Sequence, residues 1–314
     1  MKNIFTNVLI LTGLLLSSAC SANIKSSEQK ETNQNQVEHG NHQQVNQQVN
    51  LAENKQDTNN QKNAKSNTHD HSHTDHNQHH SKITTTAKLT PPQKLAAKES
   101  VNLVIDIQDD QQKPVTKFDV FQEKLMHLIV VSDDLRFFDH LHPEYKNNGR
   151  FEVTANFSEP GNYTFFSDYK PSGKQENISV MKVNVPGSVP LPKDLEKFAK
   201  TKTISDTQVN LNVAQTDIKS GQEVSLKFDI QDAKSNQSLK DLQPYLGEKG
   251  HLVIIKSSAP LTVTDYIHAH ASQNSPDGQI EFKTQFPQPG TYKMWLQFNR
   301  NGKITTADFW VNVV

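Results

Sequence analysis

From about Ile83 onward the chain is a succession of short apolar runs separated by turn signals. Val101-Asn102-Leu103-Val104-Ile105-Asp106-Ile107 alternates apolar and polar positions before a Gln-Asp-Asp turn. Residues 125–132, 137–142, 151–157, 164–169 and 178–185 follow as further β-branched or aromatic runs, with Pro160-Gly161 between two of them. Alternation with period two places every second side chain on one face of a strand. No stretch in this region has the 3.6-residue period of an amphipathic helix. Many short strands with turn residues at this spacing predict an all-β fold of antiparallel β-sandwiches.

The pattern then repeats. Asp106-Ile107-Gln108-Asp109 matches Asp229-Ile230-Gln231-Asp232, and residues 149–163 align without gaps on 278–292. Six positions of that block are identical, among them Gly149/Gly278, Phe157/Phe286 and Tyr163/Tyr292. The ends match as Val183-Asn184-Val185 and Val311-Asn312-Val313. A period of this length means two copies of one structural unit. Pro-Gly-x-Tyr in each copy is similar to the tyrosine corner of immunoglobulin-like sandwiches, which closes a turn before a core strand. The expected fold is two tandem immunoglobulin-like sandwiches, 82–186 and 201–314, joined by a Pro-bearing linker, 187–200.

The N-terminal part is different in kind. Residues 1–19 carry Lys2, an apolar segment from Val8 to Leu16 and small residues before Cys20, which reads as a cleaved export signal. Cys20 is the sole cysteine and resembles the lipidated cysteine of a bacterial lipobox. Residues 20–81 are rich in Asn, Gln, His, Ser and Lys and poor in large apolar side chains, so they cannot offset the entropy of ordering. They are expected to be a lipid-anchored, disordered tether. No later run is apolar and long enough to span a bilayer, and with one cysteine there is no disulfide or second thiolate to build with. The 33 basic and 34 acidic residues nearly cancel, which gives no field to attract nucleic acid.

Histidine carries the candidate chemistry. Met126-His127-Leu128-Ile129-Val130-Val131 is followed by His140-Leu141-His142, and Gly250-His251-Leu252-Val253-Ile254-Ile255 by His268-Ala269-His270. Residues two apart on a strand share a face, so each His-x-His presents two imidazoles together, with a third from the neighbouring strand. Of the fourteen histidines, eight lie in the tether and the other six form these two trios. His127, His140, His142, His251, His268 and His270 are therefore the candidate metal ligands. Imidazole without thiolate suits zinc(II) or copper(II). Met126, Met181 and Met294 are read as core filling rather than as sulfur ligands. In the tether, His69, His71, His73, His76, His79 and His80 form an auxiliary, weaker chelating tract. Each trio is complete within its repeat, so one separate site per domain is expected, the first better formed because Pro143 stiffens its exit.

Taken together, the export unit, the Met-His-Leu-Ile-Val-Val-Ser strand and the His-x-His-Pro that follows resemble YtkA-like and CopC-like bacterial envelope domains. That resemblance covers about 83–186 and 201–314 and implies an immunoglobulin-like sandwich that binds or delivers copper. The lipobox at Cys20 implies a protein anchored to a membrane through lipid, facing the periplasm or exterior, and a metal-delivery role implies an efflux pump or another envelope metal protein as partner. No serine elbow, catalytic carboxylate pair or phosphate-binding glycine loop is present, so an enzyme is not expected. Two rival readings remain: a metal-free adhesion or assembly module with structural histidines, and a hydrolase built on three histidines and a metal.

Overall fold

A computed structural model describes residues 85–90, 92, 94–189 and 198–314. The expected signal segment, Cys20, the tether with its six histidines and most of the linker lie outside the described residues. The first repeat contributes β1 (Thr85–Thr90), β2 (Ser100–Asp109), β3 (Met126–Ser132), β4 (Phe138–Leu141), β5 (Glu144–Tyr145), β6 (Arg150–Asn156), β7 (Gly161–Tyr169) and β8 (Asn177–Val185). The second contributes β9 (Thr201–Ile204), β10 (Thr207–Val213), β11 (Glu223–Asp232), β12 (Leu242–Gln243), β13 (His251–Lys256), β14 (Tyr266–His270), β15 (Gln279–Gln285), β16 (Gly290–Arg300) and β17 (Lys303–Val313). All strand pairings are antiparallel.

Each repeat is a two-sheet sandwich. The first has sheets ordered β1-β2-β6-β5 and β4-β3-β7-β8. In the second, β9-β10-β11-β15 faces β14-β13-β16-β17, with β12 beside one end of β16. One apolar core fills each: Leu103, Ile105, Leu128, Val130, Phe151 and Phe165 in the first, and Leu226, Phe228, Leu252, Ile254, Phe282 and Phe309 in the second. Met126 and Met294 are fully buried in these cores and Met181 nearly so, as read from the sequence.

The repeated residues have local physical reasons. Tyr163 donates its hydroxyl to Glu159 O at 2.7 Å and Tyr292 to Gln288 O at 2.8 Å, so both tyrosine corners are formed. The repeated Asp at the end of Asp-Ile-Gln-Asp accepts turn N–H groups: Asp109 from Gln111 and Lys113, Asp232 from Lys234 and Ser235. Gly149 and Gly278 sit at φ +74° and +70°, and a Cβ there would come within 2.6 and 2.7 Å of backbone carbonyl oxygens. Only glycine meets both conditions.

What the sequence does not convey is that the two sandwiches are docked. β3 and β13 are buried on both faces. Along β3, Leu128 and Val130 point into their own core, whereas Ile129 and Val131 point outward. They join Val253 and Ile255 of β13, with Leu135, Phe166, Leu261, Tyr266, Trp295 and Trp310, in a third apolar cluster shared by the two domains. Phe138 stacks on Trp295 at 4.8 Å and Phe166 on Tyr266 at 5.0 Å. Lys293 is buried beside this seam, donates to Leu135 O at 2.8 Å, pairs with Asp308 at 3.2 Å and lies over both Trp295 and Trp310. Removing a buried indole from such a seam costs about 3–5 kcal/mol. Wild-type protein should therefore melt as one cooperative unit by calorimetry. Trp295→Ala should lower the melting temperature and split the transition in two; a single undisturbed transition in that variant would contradict the shared seam.

Candidate metal centre

The same alternation that sends Ile129 and Val131 outward sends His127 outward, one step nearer the start of β3. His251 holds the equivalent place on β13. Each ring is preceded by a tight turn with two successive residues at positive φ: Gln122 and Glu123 at 46° and 63°, Leu246 and Gly247 at 53° and 77°. That geometry belongs to two-residue hairpin loops. It presents a carbonyl to the histidine that follows, so His127 Nε2 donates to Phe121 O at 3.2 Å and His251 Nε2 to Tyr245 O at 3.1 Å. His140 and His268 arrive on the partner strands, where Ile129 faces His140 and Val253 faces His268.

All six histidines meet at the docking face. Within the first domain, ring centroids lie 5.2 Å apart for His127–His140 and His127–His142, and 4.7 Å for His140–His142. Across the interface, His127 is 6.2 Å from His251 and 5.6 Å from His268, and His140 is 6.0 and 6.2 Å from the same two rings. One separate site per domain is the expectation; each trio lies within its own repeat, and the two trios adjoin across the interface. The outer faces of β3 and β13 are too apolar to stand in water, and burying them against each other brings the trios together.

Hydrogen bonding fixes which nitrogens are free to act as donors to a metal. Phe121 O accepts the proton on His127 Nε2, leaving the lone pair on Nδ1. Gln297 Oε1 accepts from His140 Nδ1 at 2.7 Å, leaving the lone pair on Nε2. These two lone-pair nitrogens face each other at 3.0 Å. Two imidazole nitrogens bound to one ion at 2.0–2.1 Å, at angles of about 90–109°, stand about 2.9–3.4 Å apart. His142 Nε2 is buried with no hydrogen-bond partner, and one nitrogen from each of His127, His140 and His142 lies within 4.8 Å of the others. An orphaned buried nitrogen beside two facing lone pairs fits a metal ion, and a buried polar atom is seldom left unpaired otherwise.

The second trio is built on the same plan but is not equal to the first. His251 Nδ1 faces His268 Nε2 at 3.3 Å, and Asp168 Oδ2 lies 3.3 Å from His268 Nδ1, placed to take its proton. His270 is exposed, and its Nδ1 accepts from Gln122 Nε2 at 2.6 Å. The first trio thus offers three converging nitrogens and the second a pair. Asp168 and Gln297 went unnoticed in the sequence. They stand opposite His127 and His251 in the strand register, at equivalent places in the two repeats. Each reaches across to brace a histidine of the other domain.

Burial keeps the rings neutral. Desolvation pushes His127 down to about 2, helped by the neighbouring His268, and His251 down to about 3, again with His268. His268 falls to about 3 through burial and its neighbours His270 and His142, and His142 to about 4 through burial and Lys124. His140 lies well below its ordinary value for the same reasons. Burial pushes Asp168 the other way, up to about 7. Neutral imidazole is the ligating form, so no proton has to be removed before a metal binds.

The whole is a pair of immunoglobulin-like sandwiches that close over a histidine centre. By sequence, the chain belongs to a family described as a domain of unknown function (DUF8832), which matches it twice, at residues 79–187 and 202–314. None of the curated proteins matches it. Solved structures to which it is similar include the Escherichia coli adhesin FdeC, at 12% identity, covering 73% of this chain and 64% of that one, with a TM-score of 0.23. The Yersinia pseudotuberculosis adhesin InvE is 10% identical, with 73% and 59% covered and a TM-score of 0.23. A Salmonella alpha-2-macroglobulin variant is 13% identical, with 73% and 15% covered and a TM-score of 0.24. The chain spans less than two thirds of the length of each, and likenesses this distant carry no argument about function. Among the described residues no helix is long and apolar enough to cross a membrane.

The titration shifts have a consequence for acid stability. A histidine whose folded value is depressed contributes stability that is complete above about 6.5 and lost as pH falls toward the folded value, because the unfolded chain takes up the protons. Five rings act in this direction. Asp168, raised in the fold, acts oppositely between about 3.8 and 7. At about 1.4 kcal/mol per group per pH unit, the five outweigh the one. Metal-free protein in a chelator should therefore lose several degrees of melting temperature between pH 7 and pH 5. A flat or rising profile would show that the rings are not held neutral.

Proposed function

We propose that this protein binds an imidazole-preferring divalent metal, copper(II) in the first place and zinc(II) in the second, at the histidine centre between its two sandwiches. The supporting observation is the pair of lone-pair nitrogens on His127 and His140, 3.0 Å apart, beside the orphaned His142 Nε2. The ligand set is neutral and lacks sulfur, which favours Cu(II) or Zn(II) over Cu(I). The role is binding and delivery of the metal as cargo rather than catalysis. The resemblance of the first repeat to YtkA-like and CopC-like domains supports copper. The export segment ending at Cys20 supports a lipid-anchored place in the cell envelope, and the tether's histidines would add weaker capacity. A metal efflux pump or another envelope metal protein is the partner this reading implies.

The rival reading is a metal-free surface adhesion or assembly module. The observation on its side is that His127, His140, His251 and His268 all have hydrogen-bond partners and would serve as interface residues without any ion. Calorimetric titration separates the two. Cu(II) should bind tightly to full-length protein in which the tether histidines are replaced by alanine, and should raise its melting temperature, since a ligand of the native state alone stabilises it. His127→Ala with His140→Ala should weaken that binding at least about tenfold. Unchanged melting with and without Cu(II) and Zn(II) would favour the metal-free module. Cys20→Ala should release the protein from the membrane fraction, and retention there would count against a lipid anchor.

A further inference from the structure

The six histidines read in sequence as two metal sites, but the docking of the domains changes what they can hold. We infer that the centre is a single-ion site with two seats: His127, His140 and His142 form one, His251 and His268 the other, and an ion in either excludes a second ion from its neighbour. This rests on the metal-binding reading above and deepens it.

Three observations carry the inference. The first is proximity: rings of one seat stand 5.6–6.2 Å from rings of the other across the interface. The second is charge. Both seats are built from imidazoles, which as ligands bring no negative charge of their own. The buried carboxyl in contact with the rings is Asp168, with Glu176 at its side. Compact two-ion centres bring their ions together with an anion between them, supplied by the protein or by bound hydroxide. Asp168 sits instead behind His268, on the ring nitrogen that faces away from His251. Two divalent ions would therefore repel each other with no carboxylate of Asp168 between them.

The third observation is the exchange of braces. Gln297 of the second domain holds His140 of the first, and Asp168 of the first holds His268 of the second. Each seat thus needs the other domain in place to fix its imidazole in the ligating form. The two braces differ in kind: one is an amide oxygen and the other a carboxyl, and second-shell acceptors tune the imidazole they hold. The seats are accordingly unequal, with three nitrogens on a neutral brace in one and two nitrogens on an acidic brace in the other. Unequal seats side by side, filled one at a time, give an ion a second place to move to without leaving the protein.

The test is Cu(II) titration of full-length protein carrying alanine at the tether histidines, read by calorimetry and by electron paramagnetic resonance. One tight equivalent with an isolated-ion spectrum is expected, and His251→Ala with His268→Ala should leave that equivalent and its spectrum in place. His127→Ala with His140→Ala should still take one equivalent, at least about tenfold more weakly and with an altered spectrum. All four substitutions together should abolish tight binding. Gln297→Leu should alter the wild-type spectrum although it lies in the other domain, and Gln297→Glu, which keeps an acceptor, should preserve binding. Two tight equivalents, or a half-field signal from two coupled ions, would overturn the single-ion inference while leaving metal binding intact. Loss of all binding in the His251/His268 variant would overturn it in favour of one site with ligands from both domains. No tight binding by any form would end the metal reading itself.

Discussion

The burial of one sheet face against another governs everything else in this molecule. β3 and β13 each carry apolar side chains on both faces, and a strand apolar on both faces must be covered on both. Each sandwich covers one face with its own second sheet. The other can be covered only by something outside the sandwich, and here it is covered by the equivalent face of the other repeat. Ile129, Val131, Val253, Ile255, Trp295 and Trp310 form the seam, and His127 and His251 lie at its edge because they occupy the next outward positions on the same strands. The seam removes water from the rings, and dehydration rather than any opposing charge leads the depression of their proton affinities.

Much of this was legible in the sequence, and the reason is locality. Strand positions follow from alternation, tyrosine corners from Pro-Gly-x-Tyr, and the shared face of a His-x-His from the two-residue period. Gly149 and Gly278 stand out as identical positions of the repeat, and their positive φ supplies the physical reason. Leu128 to Val131 is an unbroken apolar run, as strands buried on both faces have. The sequence cannot say what supplies the cover. A Pro-bearing linker is compatible with domains far apart or face to face, and the choice is made by apolar area rather than by the linker.

The residues that escaped notice did so for a related reason. Asp168 and Gln297 occupy one register position in the two repeats but are different amino acids, so comparing the copies gives them no prominence. Their importance comes only from a contact across the interface, to His268 and His140, which no pattern within one repeat encodes. Phe121 and Tyr245 act through their carbonyl groups, which makes the side chain irrelevant to the role. Backbone acceptors and cross-domain partners are the parts of a candidate site that sequence reading is least able to find.

Duplication explains why an interface of this kind exists at all. One domain with an apolar outer face would pair with a second copy through a two-fold axis, the commonest way to close such a surface. Joining two copies in one chain keeps that geometry and frees the halves to diverge. The divergence is visible here: an amide braces one imidazole and a carboxylate the other, and His270 has turned to Gln122 while His142 stays with its trio. A symmetric dimer would be confined to equal halves, and an ion would have no preference between them. A fused pair can rank its two halves, and on the metal-binding proposal that ranking would give an ion a preferred seat.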